Sequence, residues 1–363
     1  GRQRGPPPAR RAGGGFGSRP PAPTGAEAAG GAPKTAPAVS RPPLQVDAHE
    51  LTTSASMGIA LFPHNGDDAE TLIKNAATAL SRAKEQGRNH YQFYTEDMNA
   101  TAFERLMLES QLRKALEHGE FALQYQPKVS LADGQVTGVE ALLRWHHPDL
   151  GLIPPAEFIP LAEETGLIVQ IGAWVLQTAC AQVRRWQRLG HHRLELAVNI
   201  SGRQFQEKNL VPTIQAAVEE SGMPPDLIEL ELTESVIMRD APDAARRLRE
   251  LTALGIRLAV DDFGTGYSSL GYLRSFPIHS LKIDRSFVRD IDRDPATAAL
   301  AQAIIAMAAS LKLKVVAEGV ETREQLEQLR AFGCQECQGY LFSRPLPPDE
   351  LLALLGQGRR LAL

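Results

Sequence analysis

The chain has 363 residues, 43% of them hydrophobic, and a formal net charge of −4. That is enough apolar material for a barrel-sized soluble domain. With no apolar run near 18 residues it excludes a membrane span, so a cytoplasmic location is expected. Residues 1–47 hold seven basic and two acidic side chains, which leaves −9 for the remaining 316, and so acidic a body argues against a general binder of nucleic-acid polymers.

Residues 1–47 also carry ten of the 25 prolines and almost no large apolar side chain, too little burial to offset the entropy of ordering them. This segment is expected to be disordered. It lacks the continuous apolar core of a signal peptide, and its arginines fit a linker better than a basic binding arm. Residues 48–100 are expected to form a small α/β piece, with "TTSASMGIALFP" alternating as a strand, "AETLIKNAATALSRAKEQG" spaced as an amphipathic helix and "HYQFY" as a second strand. So short a unit would leave a sheet edge open, which suggests part of a larger domain. "TEDMNATAFERLMLESQLRKALEHG" reads as a connecting helix into the main domain, 101–363.

From residue 121 the pattern becomes strand-length apolar runs separated by helical stretches. Eight runs are expected as strands: "ALQYQPKVSL", "VTGVEALLRW", "LELAVNIS", "LIELELTES", "RLAVDDF", "SLKIDRSF", "KVVAEGV" and "CQGYLF". With helices such as "APDAARRLRELTALG" between the later ones, they favour an α/β fold of the (β/α)8 TIM-like barrel type. The first two are joined only by "ADGQ", too short for a crossover, so one antiparallel strand is expected. Trp174 and Trp186 lie on an amphipathic stretch and are expected to pack on the barrel. His146 and His147 are expected in a loop. Three cysteines are too few for a disulfide framework, and the pair Cys334 and Cys337 lacks a second ligand pair, so both read as structural.

Asn199, Glu231, Asp261, Lys282, Glu318 and Gln338 each fall towards the C-terminal end of a different strand, where barrels place their chemistry. Together with Asp262 they bring four carboxylates and two carboxamides to one mouth, the donor set of a hard cation. The adjacent Asp261 and Asp262 in "LAVDDFGTGYSSL" would repel by about 3 kcal/mol at 5 Å, so a positive partner is required. Alternation along a strand would point them oppositely, and the glycines that follow are expected to turn both towards the mouth. Asp261 could then bridge two ions in a hydrolase acting on phosphodiesters, while Lys282 is either part of that chemistry or an ion pair that balances the acids.

"EALLRW", "NIS", "ELTES", "DDFGTGYSSL", "LKIDRSF", "AEGVE" and "CQGYLFSRP" together resemble the EAL domain family, cyclic di-GMP phosphodiesterases, over residues 108–356. "SMGIALFP" and "AKEQGRN" resemble the C-terminal third of a GGDEF, or diguanylate cyclase, domain. The GGDEF signature itself is absent, which implies a remnant without cyclase activity. The EAL resemblance implies two Mg²⁺ or Mn²⁺ ions and cleavage of cyclic di-GMP to pGpG. It assigns Glu140, Asn199, Glu231 and Asp261 to one metal, and Asp261 and Asp262 to the other. Glu318 would serve the second metal and its water, and Lys282 the attacking water. Gln126, Arg144, Asp284 and Gln338 would contact substrate, with a surface ion pair as the plainer reading of Arg144. Glu234 would anchor the loop after Asp262, a loop implicated in a homodimer contact, and Glu321 would either reach the site or begin the next helix. The alternative within this resemblance is a catalytically silent sensor of cyclic di-GMP.

Overall fold

The computed structural model describes residues 44–46, 49–51, 55–87, 89–264 and 270–356. The chain divides into two compact units, one up to Arg105 and one from Leu106. In the first, β1 (Leu44–Val46) pairs antiparallel with β2 (His49–Leu51). This short pair begins inside the segment expected to be disordered, whose residues 1–43 lie outside the described ones.

The strand expected in "TTSASMGIALFP" is only three residues long, β3 (Met57–Ile59), and runs parallel to β4 (Tyr91–Phe93). Helix Ala69–Glu85 makes the crossover between them. Its start is fixed by Asp68, whose side chain accepts from the Thr71 amide at 2.8 Å. Gly58 lets the helix lie directly on the strand, since a Cβ there would come within 1.9 Å of the Ala76 carbonyl oxygen. Ala79, Tyr94 and Met98 form the small core of this unit. The expected connecting helix spans Asp97–Ala115, across the boundary expected at residue 100.

The second unit is a closed eight-stranded barrel. Its strands are β5 (Phe121–Ser130), β6 (Val136–His147), β8 (Glu195–Asn199), β9 (Ile228–Thr233), β10 (Arg257–Phe263), β11 (Ser280–Ile283), β12 (Lys314–Ala317) and β13 (Glu336–Cys337). The spatial order is β5-β13-β12-β11-β10-β9-β8-β6, and β5 pairs again with β6 to close the ring. β5 is antiparallel to both its neighbours and every other barrel pair is parallel, so the expected single antiparallel strand is present. β6 runs on through His147 and folds back into β7 (Gly151–Ile153), which corrects the loop expected at the two histidines. His147 is buried there, its Nδ1 accepting from the amides of Asp149 and Leu150.

Three expected strands end early. β11 stops where Asp284 caps a 3-10 turn, and β12 stops before Gly319, at φ +68°. β13 stops before Gly339, whose backbone packs so closely on Val320 that a Cβ would lie 2.1 Å from its carbonyl oxygen.

Alternation along the strands sends one set of side chains out to the helices and the other into the barrel. The outward set is apolar, including Val139, Leu230, Leu281 and Val315, and it packs against helices such as Ile168–Arg188. Trp186 of that helix is buried against the Tyr125 ring at 4.8 Å, and Trp174 lies 6.2 Å from Phe121, so both pack as expected. Barrels of this type usually fill their interior with branched aliphatic side chains. Here most of the buried inward set is polar, including Gln126, Lys128, Glu140, Glu229, Glu231, Ser280 and Lys282, with Ala197, Ala259 and Val316 among its apolar members. Cys180, Cys334 and Cys337 are free and buried. Among the described residues no single helix is long and apolar enough to cross a membrane.

Candidate active site

The C-terminal ends of the strands open onto a cavity of about 250 Å³ lined by Gln126, Glu140, Asp261, Lys282, Glu318 and Gln338, among others. Each comes from a different strand or the turn just after one, as the spacing in the sequence requires. Glu140, at the middle of β6, accepts from Asn199 Nδ2 at 2.6 Å and from Gln338 Nε2 at 2.7 Å. Gln338 Nε2 also donates to Gln126 Oε1 at 2.8 Å, and its own Oε1 is buried without a protein partner.

The two adjacent aspartates do face one site, but the glycines after them are not the cause. Asp262 itself takes φ +52°, in the left-handed region, and β10 bulges between Val260 and Phe263 against β11. The extra residue reverses the usual alternation, so both carboxylates reach the mouth. One carboxylate oxygen each from Asp261, Asp262 and Glu318 lies within 4.8 Å of the other two. Burial, with Asp261 and Asp284 adding repulsion, raises the Asp262 carboxyl above its ordinary value. Burial likewise pushes Glu318 up to about 8, against the pull of Lys282, with Asp261, Glu140 and Glu231 adding to the rise.

Lys282 is fully buried at the centre of these acids. Its Nζ lies 2.5 Å from Glu231 Oε2, 2.6 Å from Glu318 Oε1, 3.2 Å from Asp261 Oδ2 and 3.6 Å from Glu140 Oε2. The ion pairs that balance the acids are therefore present. A second buried cation carries no distinguishing signal in the sequence: Lys128 Nζ lies 2.7 Å from Glu231 Oε1 and 2.9 Å from Glu229 Oε1. Burial alone would lower the Lys128 ammonium, yet Glu229 and Glu231 outweigh it and hold it above its ordinary range.

Other expected residues lie around the rim. Arg144 stands four residues beyond Glu140 on the same face of β6, about 13 Å further along the strand. Its guanidinium donates to Gln124 Oε1 and the Leu143 carbonyl rather than to a carboxylate, so the surface ion pair is not what holds it. Asp284 accepts from the Ser286 amide at 3.0 Å. Buried Glu234 opens a helical turn after β9 and accepts from the Gly264 amide at 3.3 Å, where the loop after Asp262 begins. Residues 265–269 of that loop, and with them the expected dimer contact, lie outside the described residues. Glu321 lines the cavity and precedes Thr322, which caps the following helix, and its amide donates to Gln325 Oε1 of that helix.

The chain matches the EAL domain family over residues 109–345 and the diguanylate cyclase GGDEF domain family over residues 21–90, a match that starts well before the expected boundary at 48. It is 49% identical over 311 residues to the bifunctional diguanylate cyclase/cyclic di-GMP phosphodiesterase MucR of Pseudomonas aeruginosa, covering 86% of this chain and 45% of that protein. It is 42% identical over 307 residues to the cyclic di-GMP phosphodiesterase PdeR of Escherichia coli, covering 85% and 46%. The chain thus spans under half the length of these curated relatives. Among solved structures, the PaMucR phosphodiesterase in its c-di-GMP complex superposes with a TM-score of 0.66 at 49% identity, covering 68% of this chain and 99% of that one. The Xanthomonas citri FimX EAL domain in complex with c-di-GMP gives 0.62 at 26% identity, covering 69% and 97%. With a family match that takes in well over half its residues and a closed eight-stranded barrel to go with it, the chain belongs to the EAL domain family.

Proposed function

We propose that this chain is a metal-dependent phosphodiesterase that hydrolyses cyclic di-GMP to linear pGpG with two divalent ions, Mg²⁺ or Mn²⁺. The observation that carries the reading is the convergence of Asp261, Asp262 and Glu318 at the mouth of a barrel whose solved relatives hold c-di-GMP. The donors fit such ions, being hard oxygens whose burial, with repulsion between neighbouring acids added, makes Asp262 and Glu318 harder to ionise without a cation. Glu140, Asn199, Glu231 and Asp261 would hold one ion, and Asp261, Asp262 and Glu318 the other. Bound there, the ions supply Lewis-acid activation of water and neutralise charge on the phosphoryl oxygens.

The protein's own groups do the positioning. Lys282 Nζ, 2.6 Å from Glu318 Oε1, holds the attacking water beside that carboxylate. Gln126 and Gln338 lie at the cavity wall, with Gln338 Oε1 available to accept from the nucleotide. Arg144 at the rim suits a phosphate by its fork of donors, and Asp284 completes the substrate contacts. Water oxygen bonds to phosphorus as one phosphorus–ribose oxygen bond breaks, which leaves a linear dinucleotide with a terminal phosphate. Residues 48–100 would then be a GGDEF-type piece preceding a phosphodiesterase domain over 101–363.

Glu140→Ala and Asp262→Ala, each removing a ligand of a different ion, test this assignment. Each should lower kcat by at least about 10²-fold while cyclic di-GMP still binds. Wild-type turnover in either variant would count against it, and tight nucleotide binding by the native chain with no turnover in either metal would favour the silent sensor.

A further inference from the structure

Among the described residues, Glu231 is the one acid at the mouth with a lysine on each oxygen. Lys282 takes Oε2 at 2.5 Å, from the side of Asp261 and Glu318, and Lys128 takes Oε1 at 2.7 Å. Lys128 comes from β5, on the other side of the barrel, and its side chain is 3% exposed. The same ammonium lies 2.9 Å from Glu229 Oε1, and Glu229 Oε2 in turn accepts from the Ser280 hydroxyl. Ser280, Glu229, Lys128 and Glu231 therefore form a continuous buried chain that leads up to the carboxylates of the mouth.

We infer that Lys128 is a positioning residue. It pins Glu231 Oε1 from below and so orients the carboxylate, with Oε2, beside Lys282 Nζ, turned towards the divalent ion proposed at the mouth. The inference rests on the metal-dependent reading above. It also gives the inner layer a use: Glu229 and Ser280 hold the lysine in register, as outer partners commonly orient a metal ligand.

A clamp and a mere counter-charge predict opposite signs. A positive charge that only balanced the acids would repel a divalent ion, and its loss would tighten metal binding. Loss of a clamp would weaken it. The double substitution Lys128→Met with Glu229→Gln removes one charge of each sign, so the net charge is unchanged while the hold on Glu231 Oε1 is lost. Calorimetric titration of the full chain with MnCl₂, with thermal unfolding as the check on folding, should show affinity about 10–100-fold weaker in a variant that still unfolds cooperatively. Affinity within about threefold of the native chain would overturn the inference. Should the double variant not fold, Lys128→Gln is read the same way: weaker Mn²⁺ binding despite the loss of a repelling charge supports the clamp, and equal or tighter binding overturns it. A native chain that takes up no Mn²⁺ would remove the metal reading itself, a result distinct from failure of the clamp alone.

Discussion

The backbone amide of Asp262 donates to Oδ1 of Asp261 at 2.9 Å, so the second aspartate fixes the carboxylate of the first. The φ of +52° at Asp262 accompanies that arrangement, a conformation that aspartate tolerates better than most residues and glycine better still. Asp262→Gly should therefore melt at or above the native temperature while kcat falls by at least about 10²-fold. Thermal unfolding followed by circular dichroism, beside turnover, checks both halves. A clear fall in melting temperature would mean that the side chain stabilises the bulge.

Arg144 stands well up the strand from Glu140 and reaches no carboxylate. Its loss should remove binding made alike in ground and transition states, so Arg144→Ala should raise KM more than it lowers kcat. Steady-state kinetics on cyclic di-GMP decides this, and an unchanged KM with a large fall in kcat would place Arg144 in the chemistry instead.

Glu234 receives the Gly264 amide where the loop after Asp262 begins. Glu234→Ala leaves every carboxylate proposed as a ligand in place, so it should lower turnover through misplacement of Asp262, and raised Mn²⁺ should recover part of it. Recovery is measured as kcat across a Mn²⁺ series. A variant indistinguishable from the native chain would show that the loop holds without this contact.

Much of the site was legible because its acids fall at the ends of apolar runs, where strand period and barrel geometry together fix their direction. Lys128 was not legible. A lysine in "YQPKV" looks like any solvent-facing strand residue, and its partners Glu229 and Glu231 lie 101 and 103 residues away. The bulge at Asp262 was hidden for a related reason: the pattern "DDFGTG" shows glycines able to turn, and only the pairing of β10 with β11 shows that the turn comes earlier. The three-residue β7 and the two-residue β13 are too short for period alone to define.

His279 offers a pH test away from the acids of the mouth. Its Nδ1 accepts from the Leu258 amide at 3.2 Å, which requires that nitrogen to be unprotonated. Burial, then the charge of Arg257, lowers its pKa below 6.5, with Glu229 opposing. The folded state thus binds this proton less readily than the unfolded chain. Its contribution is complete above pH 6.5 and declines as pH falls through the lowered folded value. Denaturant unfolding at a series of pH values should show that decline, and His279→Asn, which keeps an acceptor that does not titrate, should reduce it. An equal decline in both would assign the effect to other groups.

The most direct measurement is the fate of cyclic di-GMP incubated with the purified chain in Mg²⁺ or Mn²⁺, with the nucleotides separated over time and a chelator added to a parallel sample. The account predicts steady loss of cyclic di-GMP, matching gain of pGpG, and arrest by the chelator. Excess Ca²⁺ should inhibit, since its longer bonds and looser coordination suit a site for Mg²⁺ poorly. Nucleotide that binds but stays intact in both metals, or turnover that continues undiminished in the chelator, would contradict it.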